Sequence, residues 1–170
     1  MDIWYGFACV ALDLLKPSGV ECFIAQNNWI TSAGASKLRN KVLTESNIKL
    51  FTDFTDYKVF QSAGIQTMVY LLKRTNSESK SYKLLHSKLL VNEVSDSDLF
   101  YFLNMDISDK SYTKRIMDFN PSEFKDSYIS FASNEKVKVF NSIINRSNFK
   151  LFDYEIIQGI VPNPDIVNSR

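Results

Sequence analysis

The first 25 residues combine a helix that is apolar on nearly every side with a strand that is apolar along most of its length. Apolar residues recur at helical spacing over residues 3–15, and Val10 and Leu12 widen the stripe they form. Residues 16–19 end this helix, and residues 20–25 are the β-rich run that is typical of an interior parallel strand. Both elements need neighbours on several sides, so the chain is predicted to fold into an α/β sheet.

Two more strands and one more helix follow before residue 74. Residues 35–45 have the spacing of a helix whose inner face carries Leu38, Val42 and Leu43. Residues 66–73 are apolar on both faces and should form a central strand. Residues 48–54 are interrupted by Thr52 and Asp53, and therefore suit an edge strand better.

The pattern is looser after residue 74. Residues 74–81 are predicted as a turn or short linker, followed by strands at 82–90 and 112–117 and helices at 97–104 and 134–145. The last helix should turn Val137, Phe140, Ile143 and Ile144 inward. The first 74 residues supply fewer elements than a doubly wound sheet needs, so we expect a portion of a larger α/β protein. A complete small α+β domain is the alternative.

Composition excludes several classes of protein. The chain is 45% hydrophobic, with 20 basic and 19 acidic residues, and neither half has the basic excess of a self-sufficient nucleic-acid binder. Cys9 and Cys22 lie in apolar stretches and are predicted to be buried, reduced thiols. No cationic leader and no membrane-length apolar run is present, which favours a cytoplasmic location. A single histidine, His86, argues against a His/Cys metal site and against Ser/His catalysis.

An ordered series of short matches resembles the second half of the catalytic domain of TaqI-type adenine-specific DNA methyltransferases. The similarity is strongest to those fused with a nuclease in type IIG restriction–modification enzymes. It covers residues 3–74 closely and continues loosely to the C-terminus. The matching residues are Tyr5-Gly6-Phe7, residues 14–20, Phe23-Ile24, Trp29-Ile30, Leu38-Arg39, Phe54, Val59-Phe60-Gln61 and residues 65–69.

This resemblance implies a partial S-adenosylmethionine-dependent methyltransferase sheet of Rossmann-like type that ends in an antiparallel hairpin. Residues 20–25, 48–54 and 66–73 would be its fifth, sixth and seventh strands, the seventh inserted between the other two. Residues 1–74 would then be the C-terminal half of the catalytic domain, residues 75–150 an α+β extension, and residues 151–170 a junction toward an absent target-recognition domain.

The implied reaction moves a methyl group from S-adenosylmethionine to the exocyclic amine of adenine in double-stranded DNA. The glycine-rich turn that holds the cofactor and the Asn/Asp-Pro-Pro-aromatic tetrapeptide that grips the amine are both missing here. Residues 120–123 and 163–166 resemble the tetrapeptide but lack its second proline and its aromatic residue, and are predicted to be turns. No catalytic, cofactor-binding or metal-binding residue is therefore assigned. The chain by itself is expected to be inactive and to bind no S-adenosylmethionine.

Phe60 is the first candidate site residue. It occupies the place of the family aromatic that stacks on an adenine rotated out of the duplex, where an aromatic face replaces the lost base stacking. A phenylalanine anchored in the core is the alternative. Gln26, Asn27 and Asn28 follow the C-terminal end of a strand, where open α/β sheets place ligands, and could line a pocket or merely cap the next segment. Trp29 should pack between helix and sheet.

Four cations are candidate contacts for DNA phosphates: Lys37, Arg39 and Lys41 on the second helix, and Lys58 just before Phe60. A solvated outer helix face is the favoured explanation of the first three, and phosphate contact is the alternative. Exposed apolar surface would also favour self-association. Two other functions stay open, namely a noncatalytic DNA- or protein-binding module derived from a methyltransferase fold, and methylation of RNA or protein.

Overall fold

The computed structural model describes residues 2–76, 80–104, 109–132 and 134–146. The chain divides into two compact units, Met1–Phe131 and Ala132–Arg170. No described helix is long and apolar enough to cross a membrane. The helices are α1 (Ile3–Leu14), α2 (Ser36–Glu45), α3 (Asp96–Asn104) and α4 (Asn134–Arg146), and the strands are β1 (Val20–Gln26), β2 (Ser46–Asp53), β3 (Thr67–Arg74), β4 (Tyr82–Leu89) and β5 (Tyr112–Phe119). The predicted helices and strands are confirmed to within a few residues.

All five strands join one sheet in the order β1-β3-β2-β4-β5. β3 lies between β1 and β2 and is antiparallel to both, as the resemblance implied. β4 pairs with β2 in parallel, and β5 pairs with β4 antiparallel. The chain is thus an α/β protein whose sheet continues well past residue 74.

The predicted positions of two strands are wrong for this chain. β2 is interior, because β4 pairs along its second side. β1 pairs only with β3 in the described part of the chain, antiparallel, and so lies at an edge. The Thr52 and Asp53 that suggested an edge fall at the end of β2.

The main core lies on one face of the sheet, under α1 and α2. Leu12 from α1, Leu38 from α2 and Phe51 from β2 belong to this cluster. Trp29 is fully buried there, with its ring centroid 5.7 Å from that of Tyr70, so its predicted packing role is confirmed. A smaller core of Phe54, Leu89, Phe102 and Tyr112 forms with α3. Val69 of β3 packs against this smaller core, because successive side chains of a strand point to opposite faces of the sheet and its neighbours in β3 face the main core.

Only one side of α1 is covered. Its buried residues are Tyr5, Ala8 and Leu12. The opposite side exposes an apolar stripe of four residues, which are Ile3, Phe7, Val10 and Leu14. The predicted burial on most sides is therefore not found among the described residues.

One face of β1 is likewise uncovered. Val20 and Ile24 are exposed large apolar residues, and Cys22 between them is exposed as well. Both cysteines are free thiols as predicted, but the predicted burial of Cys22 is wrong, because its side of β1 meets no covering helix among the described residues. Within the described residues, β1 and α1 thus each leave an apolar surface open.

Arg74 fixes the C-terminal end of α1. Its guanidinium donates to the carbonyl oxygens of Leu12, Asp13 and Leu15 at 2.6, 2.7 and 2.8 Å. The Leu12 carbonyl also accepts from the main-chain N–H of Leu15 at 3.4 Å. The last carbonyls of a helix lack regular partners within it, and a cation suits the negative end of the helix dipole. The last strand of the predicted methyltransferase hairpin thereby holds the first helix in place.

α4 belongs to the second unit and exposes its apolar residues. Val137, Phe140 and Ile143 are all exposed, so their predicted inward orientation is wrong, and the side chain of Ile144 lies outside the described residues. The described part of the second unit contains no other element against which this helix could pack.

Candidate functional site

The end of the sheet where β1 and β2 finish carries the candidate residues. β1 ends at Gln26, opposite Thr67 at the start of β3. β2 ends at Asp53, opposite Met68. Because the carboxyl ends of β1, β2 and β4 point the same way, the loops that follow them meet where α/β sheets bind ligands.

Asp53 connects the two strand ends. Its Oδ1 atom accepts hydrogen bonds from the side-chain amide of Asn27 and from the main-chain N–H of Thr55, both at 2.9 Å. Its Oδ2 atom lies 3.9 Å from the ammonium of Lys88, which comes from β4. The carboxylate therefore fixes both the Asn27 side chain and the beginning of the loop that leads to Phe60. Sequence reasoning treated Asp53 only as an interruption of a strand.

The three predicted amide residues are brought together around one small cavity. Gln26, Asn27, Asn28, Ile65 and Gln66 line a space of about 160 Å³. The Gln66 amide donates to Asp56 at 2.6 Å, and the main-chain N–H of Asn27 donates to the carbonyl of Gln66 at 3.0 Å. Amide groups supply both hydrogen-bond donors and acceptors, so the cavity suits one planar polar group such as the edge of a base.

Phe60 lies in the loop between β2 and β3 and is 45% exposed. Its neighbour Val59 packs against the smaller core, whereas Phe60 belongs to neither core cluster. The main-chain N–H of Ala63 donates to the Phe60 carbonyl at 3.2 Å, which tightens the turn that follows. The Phe60 ring is therefore partly exposed to solvent, on a loop whose first residues are held in place. The alternative prediction, that Phe60 anchors the loop in the core, does not fit this position.

The four candidate cations have different surroundings. Arg39 is only 3% exposed, and its guanidinium donates to the carbonyls of Trp29, Ser127 and Ser32. The predicted phosphate contact of Arg39 is therefore wrong. The alternative prediction, that Arg39 lies on a solvated outer helix face, is wrong as well. The Lys41 ammonium is paired with Asp13 at 2.7 Å and Glu45 at 2.9 Å. Lys37 and Lys58 are exposed.

Lys58 also lines a second, larger cavity next to the Phe60 loop. Its volume is about 490 Å³, and the other lining residues are Asp56, Tyr57, Asn92, Glu93 and Val94. Two carboxylates among these residues offset the single lysine, so this space has no excess of positive charge. It borders the same loop as the amide cavity, since Asp56 also binds Gln66.

Two buried titratable groups were not found from the sequence. His86 packs against Phe51 and Phe131, with ring centroids 6.1 and 4.9 Å away, and burial lowers its pKa to about 4. Glu21 is buried in β1 and accepts a hydrogen bond of 2.7 Å from the Tyr70 hydroxyl, and burial raises the pKa of its carboxyl. Both pack within the main face of the sheet and not at the strand ends. No group of three potential metal ligands occurs among the described residues.

A scan against family models matches residues 1–60 to the Eco57I restriction-modification methylase. The matched segment runs from α1 through β1, α2 and β2 into the Phe60 loop. A sequence search of curated proteins finds no match.

Solved structures with a similar fold come from restriction–modification systems. The M protein of the type I restriction enzyme EcoKI superposes with a TM-score of 0.55 at 10% identity, over 85% of this chain and 42% of that chain. A structure described for complex assembly and conformational transition of a type I R-M system gives 0.54 at 11% identity, over 84% of this chain and 36% of that one. These likenesses show that the two proteins share the α/β fold of this chain. The chain spans less than half the length of either.

Proposed function

We propose that this chain is the C-terminal half of the catalytic domain of an adenine-specific DNA methyltransferase that works in a restriction–modification enzyme. The match of residues 1–60 to a restriction-modification methylase supports the class of enzyme. The shared fold with parts of two restriction–modification proteins supports the architecture. S-adenosylmethionine is the methyl donor of this class, double-stranded DNA is the substrate, and the cytoplasm is the location that goes with it.

The topology around β1 carries this proposal. β1 and β2 are parallel to each other, since both are antiparallel to β3, and α2 makes the crossover between them. α1 packs into the same core as α2, on the same face of the sheet. Because such crossovers are right-handed, a strand that leads into α1 must lie on the side of β1 away from β3. That side is the open edge, so the rest of a methyltransferase sheet has one defined place to add.

The uncovered apolar surfaces lie where that addition would bury them. The stripe on α1, with Phe7 and Val10, would face the neighbouring strand and its helix. The exposed face of β1, with Val20 and Ile24, would be covered by a second helix layer, as an α/β sheet requires. The missing layer can come from the same polypeptide or from a separate one.

The residues of this chain do not fit S-adenosylmethionine. The cavity lined by Gln26, Asn27 and Asn28 is about 160 Å³, whereas ligand pockets for molecules of this size start at roughly 300 Å³. The cavity of about 490 Å³ that Lys58 lines is large enough, but no glycine lines it. Of the described glycines only Gly34 lies between a strand and a helix, β1 and α2, and a single glycine is not the glycine-rich turn that holds the cofactor. We therefore assign the cofactor site and the grip on the amine to the remainder of the enzyme.

This chain would contribute the hold on the target base. Phe60 would stack on the extruded adenine, which restores about 1–3 kcal/mol of stacking without demanding hydrogen bonds. Gln26, Asn27 and Asn28 would bind polar edges from the neighbouring cavity, and the exposed Lys58 would contact a phosphate beside the flipped base. Lys37 is a further exposed cation for the DNA backbone, whereas Arg39 and Lys41 are committed to internal contacts.

The proposal is tested by complementation. The chain is co-expressed with a polypeptide that carries the N-terminal half of a restriction–modification methylase catalytic domain, including its glycine-rich turn and Asn-Pro-Pro-aromatic motif. We expect the two to co-purify and to transfer a tritiated methyl group to duplex DNA, and mass spectrometry should then find N6-methyladenine. Neither polypeptide alone should do so.

A matched pair of variants tests where the N-terminal half binds to this chain. Ile24→Lys places a charge on the open face of β1 and should abolish both co-purification and transfer. Ile116→Lys places the same charge on β5, which is also exposed but lies at the far edge of the sheet, and should change neither. Co-purification without any methylation would favour the noncatalytic binding module instead. Methylation by this chain alone, or N6-methyladenine absent from an otherwise methylated product, would overturn the proposal.

A further inference from the structure

A cationic cavity lies at the end of the sheet opposite the candidate site. It is about 280 Å³ in volume and is formed where β1 and β2 begin and β3 ends. Every lining residue is polar or charged, and none is an aspartate or glutamate. The lining residues are Ser18, Asn47, Lys49, Lys73, Arg74, Thr75 and Asn76.

A β-bulge brings two lysines to this cavity. In the pairing of β2 with β3, Ile48 lies opposite Leu72 and Leu50 opposite Leu71, which leaves Lys49 as an extra residue. Bulges change the direction of a side chain relative to a regular strand. Asn47 lies directly opposite Lys73, so the side chains of this pair are neighbours on one face. Lys49 and Lys73 therefore line one cavity although they come from different strands.

Neither lysine is neutralised within the described part of the chain. The recorded ion pairs there involve Lys41 and Lys88, and not Lys49 or Lys73. The Lys49 ammonium lies 5.8 Å from the ring centroid of Tyr82. Burial raises the pKa of Tyr82 to about 12, so this ring remains uncharged and does not cancel the lysine charge. Two positive charges thus face a concave polar surface.

The polar groups of the other residues that line the cavity are either held by contacts within the protein or have no hydrogen-bond partner in the described structure. Arg74 holds α1 through its guanidinium, and its main-chain N–H donates to Gly19 at 2.8 Å, so it shapes the wall without being free to bind. The Asn47 Oδ1 and Thr75 Oγ1 atoms are buried and have no hydrogen-bond partner in the described structure. A hydroxyl can donate or accept, so the Thr75 hydroxyl can donate to an anion, whereas the Asn47 side chain can do so only through its amide N–H and not through Oδ1.

We propose that this cavity binds the phosphate group of a small molecule. Two uncompensated ammonium groups supply the charge, and the Thr75 hydroxyl supplies a directed hydrogen bond. The ligand group is anionic because Lys49 and Lys73 line the cavity and no carboxylate of the described residues does. The site is concave and local, which distinguishes it from the extended row of cations that tracks a nucleic-acid backbone. It uses no residue of the proposed methyltransferase site and stands independently of that function.

The test compares thermal unfolding of the full chain in sodium phosphate and in sodium chloride at equal ionic strength. We expect a saturable rise in melting temperature with inorganic phosphate, and a similar rise with a nucleoside monophosphate. Lys73→Gln removes an exposed charge and should weaken the apparent affinity about tenfold, as the loss of one charge-assisted hydrogen bond does. The double variant Lys49→Gln/Lys73→Gln should show no response.

Lys110→Gln is the matched control, because it removes one exposed positive charge elsewhere and should respond like the wild type. Equal melting temperatures in the two salts would overturn the proposal. So would a phosphate response that Lys73→Gln retains. Protection by a short DNA duplex without any protection by inorganic phosphate would overturn it in favour of a nucleic-acid surface.

Discussion

Phe60 combines two properties that rarely occur together in a loop, namely an exposed aromatic ring and a backbone with a fixed starting point. Asp53 holds the start of the loop through the Thr55 N–H, and Val59 is held by the smaller core. The ring is therefore presented with little freedom in its supporting backbone. Such preorganisation is what a stacking residue needs, because ordering the loop would otherwise reduce the gain from stacking.

Phe60→Ala, placed in the complete enzyme, should weaken base extrusion and methyl transfer. Loss of about 1–3 kcal/mol of stacking corresponds to roughly a 5- to 150-fold reduction. Fluorescence of 2-aminopurine at the target position reports extrusion, and tritiated transfer reports turnover. Phe100→Ala, which removes another exposed phenylalanine on α3, is the control and should leave both readouts unchanged. Unaltered extrusion and turnover in Phe60→Ala would remove the stacking role.

His86 should make the folded chain sensitive to mild acid. Burial holds its pKa at about 4, below the ordinary value of 6.5, so the unfolded chain binds more protons between these values. The stability present above pH 6.5 is therefore lost as pH falls toward 4, by about 2 kcal/mol between pH 7.5 and pH 5. Urea unfolding at a series of pH values measures this loss.

His86 is the chain's single histidine, so its titration can be followed directly by NMR. The imidazole resonances should remain those of the neutral form down to pH 5. His86→Phe keeps an aromatic ring against Phe51 and Phe131 and should flatten the profile between pH 7.5 and 5. A wild-type imidazole that titrates near 6.5 would contradict the assignment of a buried, neutral ring.

Arg39 shows how far residue-level reasoning from the sequence reaches. Positions 37, 39 and 41 look like a cationic run when they are read along the chain. On a helix, however, position 39 lies next to Ala35, Leu38 and Val42, which form the buried stripe. That spacing was available in the sequence. Its guanidinium donates to the carbonyls of Trp29, Ser32 and Ser127. These partners come together only in the tertiary structure, so the sequence did not reveal them.

At the scale of elements, hydrophobic periodicity predicted which segments form helices and strands but not which strand neighbours which. β2 was assigned to an edge because its own composition is mixed. Its second neighbour, β4, comes from a segment with a weak pattern, and β4 carries Lys83, His86 and Lys88 among its apolar residues. Strand order depends on such distant pairing, which a single strand's composition does not record. The central position of β3 was predictable because it is apolar on both faces.

The exposed stripe on α1 should drive self-association of the chain when it is studied alone. Phe7→Gln combined with Val10→Gln removes two apolar side chains from the stripe without touching the buried residues Tyr5, Ala8 and Leu12. Sedimentation velocity should show oligomers for the wild type and a shift toward monomer for the variant. The free energy of unfolding should change by less than about 0.5 kcal/mol, because both positions are exposed.

Phe100→Gln on α3 is the control for this experiment, since it also removes an exposed apolar side chain. It should leave the association unchanged. A wild-type chain that is monomeric at high micromolar concentration would show that the exposed stripe on α1 does not mediate self-association. Association that responds to Phe100→Gln alone would place the contact on α3 instead.

At the scale of the whole molecule, the sheet is open at one end and extended at the other. Among the described strands none pairs with the outer side of β1, whereas β4 and β5 continue the sheet beyond the predicted hairpin. The resemblance in the first 74 residues predicted the hairpin correctly, and the family match of residues 1–60 ends in the loop before β3. The continuation could not be predicted from that resemblance, because β4 and β5 follow the closely similar region.

The chain alone should not bind S-adenosylmethionine. Titration calorimetry at cofactor concentrations up to the millimolar range should give only heats of dilution. The complemented pair of polypeptides, under the same conditions, should give a saturating isotherm and serves as the positive control. A tight complex with the chain alone would show that the cofactor site lies within these residues, and would contradict the assignment to the C-terminal half.

The grip of Arg74 on α1 also has a consequence for the order of synthesis. The helix emerges from the ribosome about 60 residues before the arginine that completes its final turn, and short helices are marginal without tertiary support. The C-terminal end of α1 should therefore stay partly frayed until β3 has been translated and has inserted between β1 and β2. Nascent chains arrested before residue 74 should accordingly leave the backbone amides of α1 open to hydrogen exchange, and chains long enough for Arg74 to have left the ribosome should protect them.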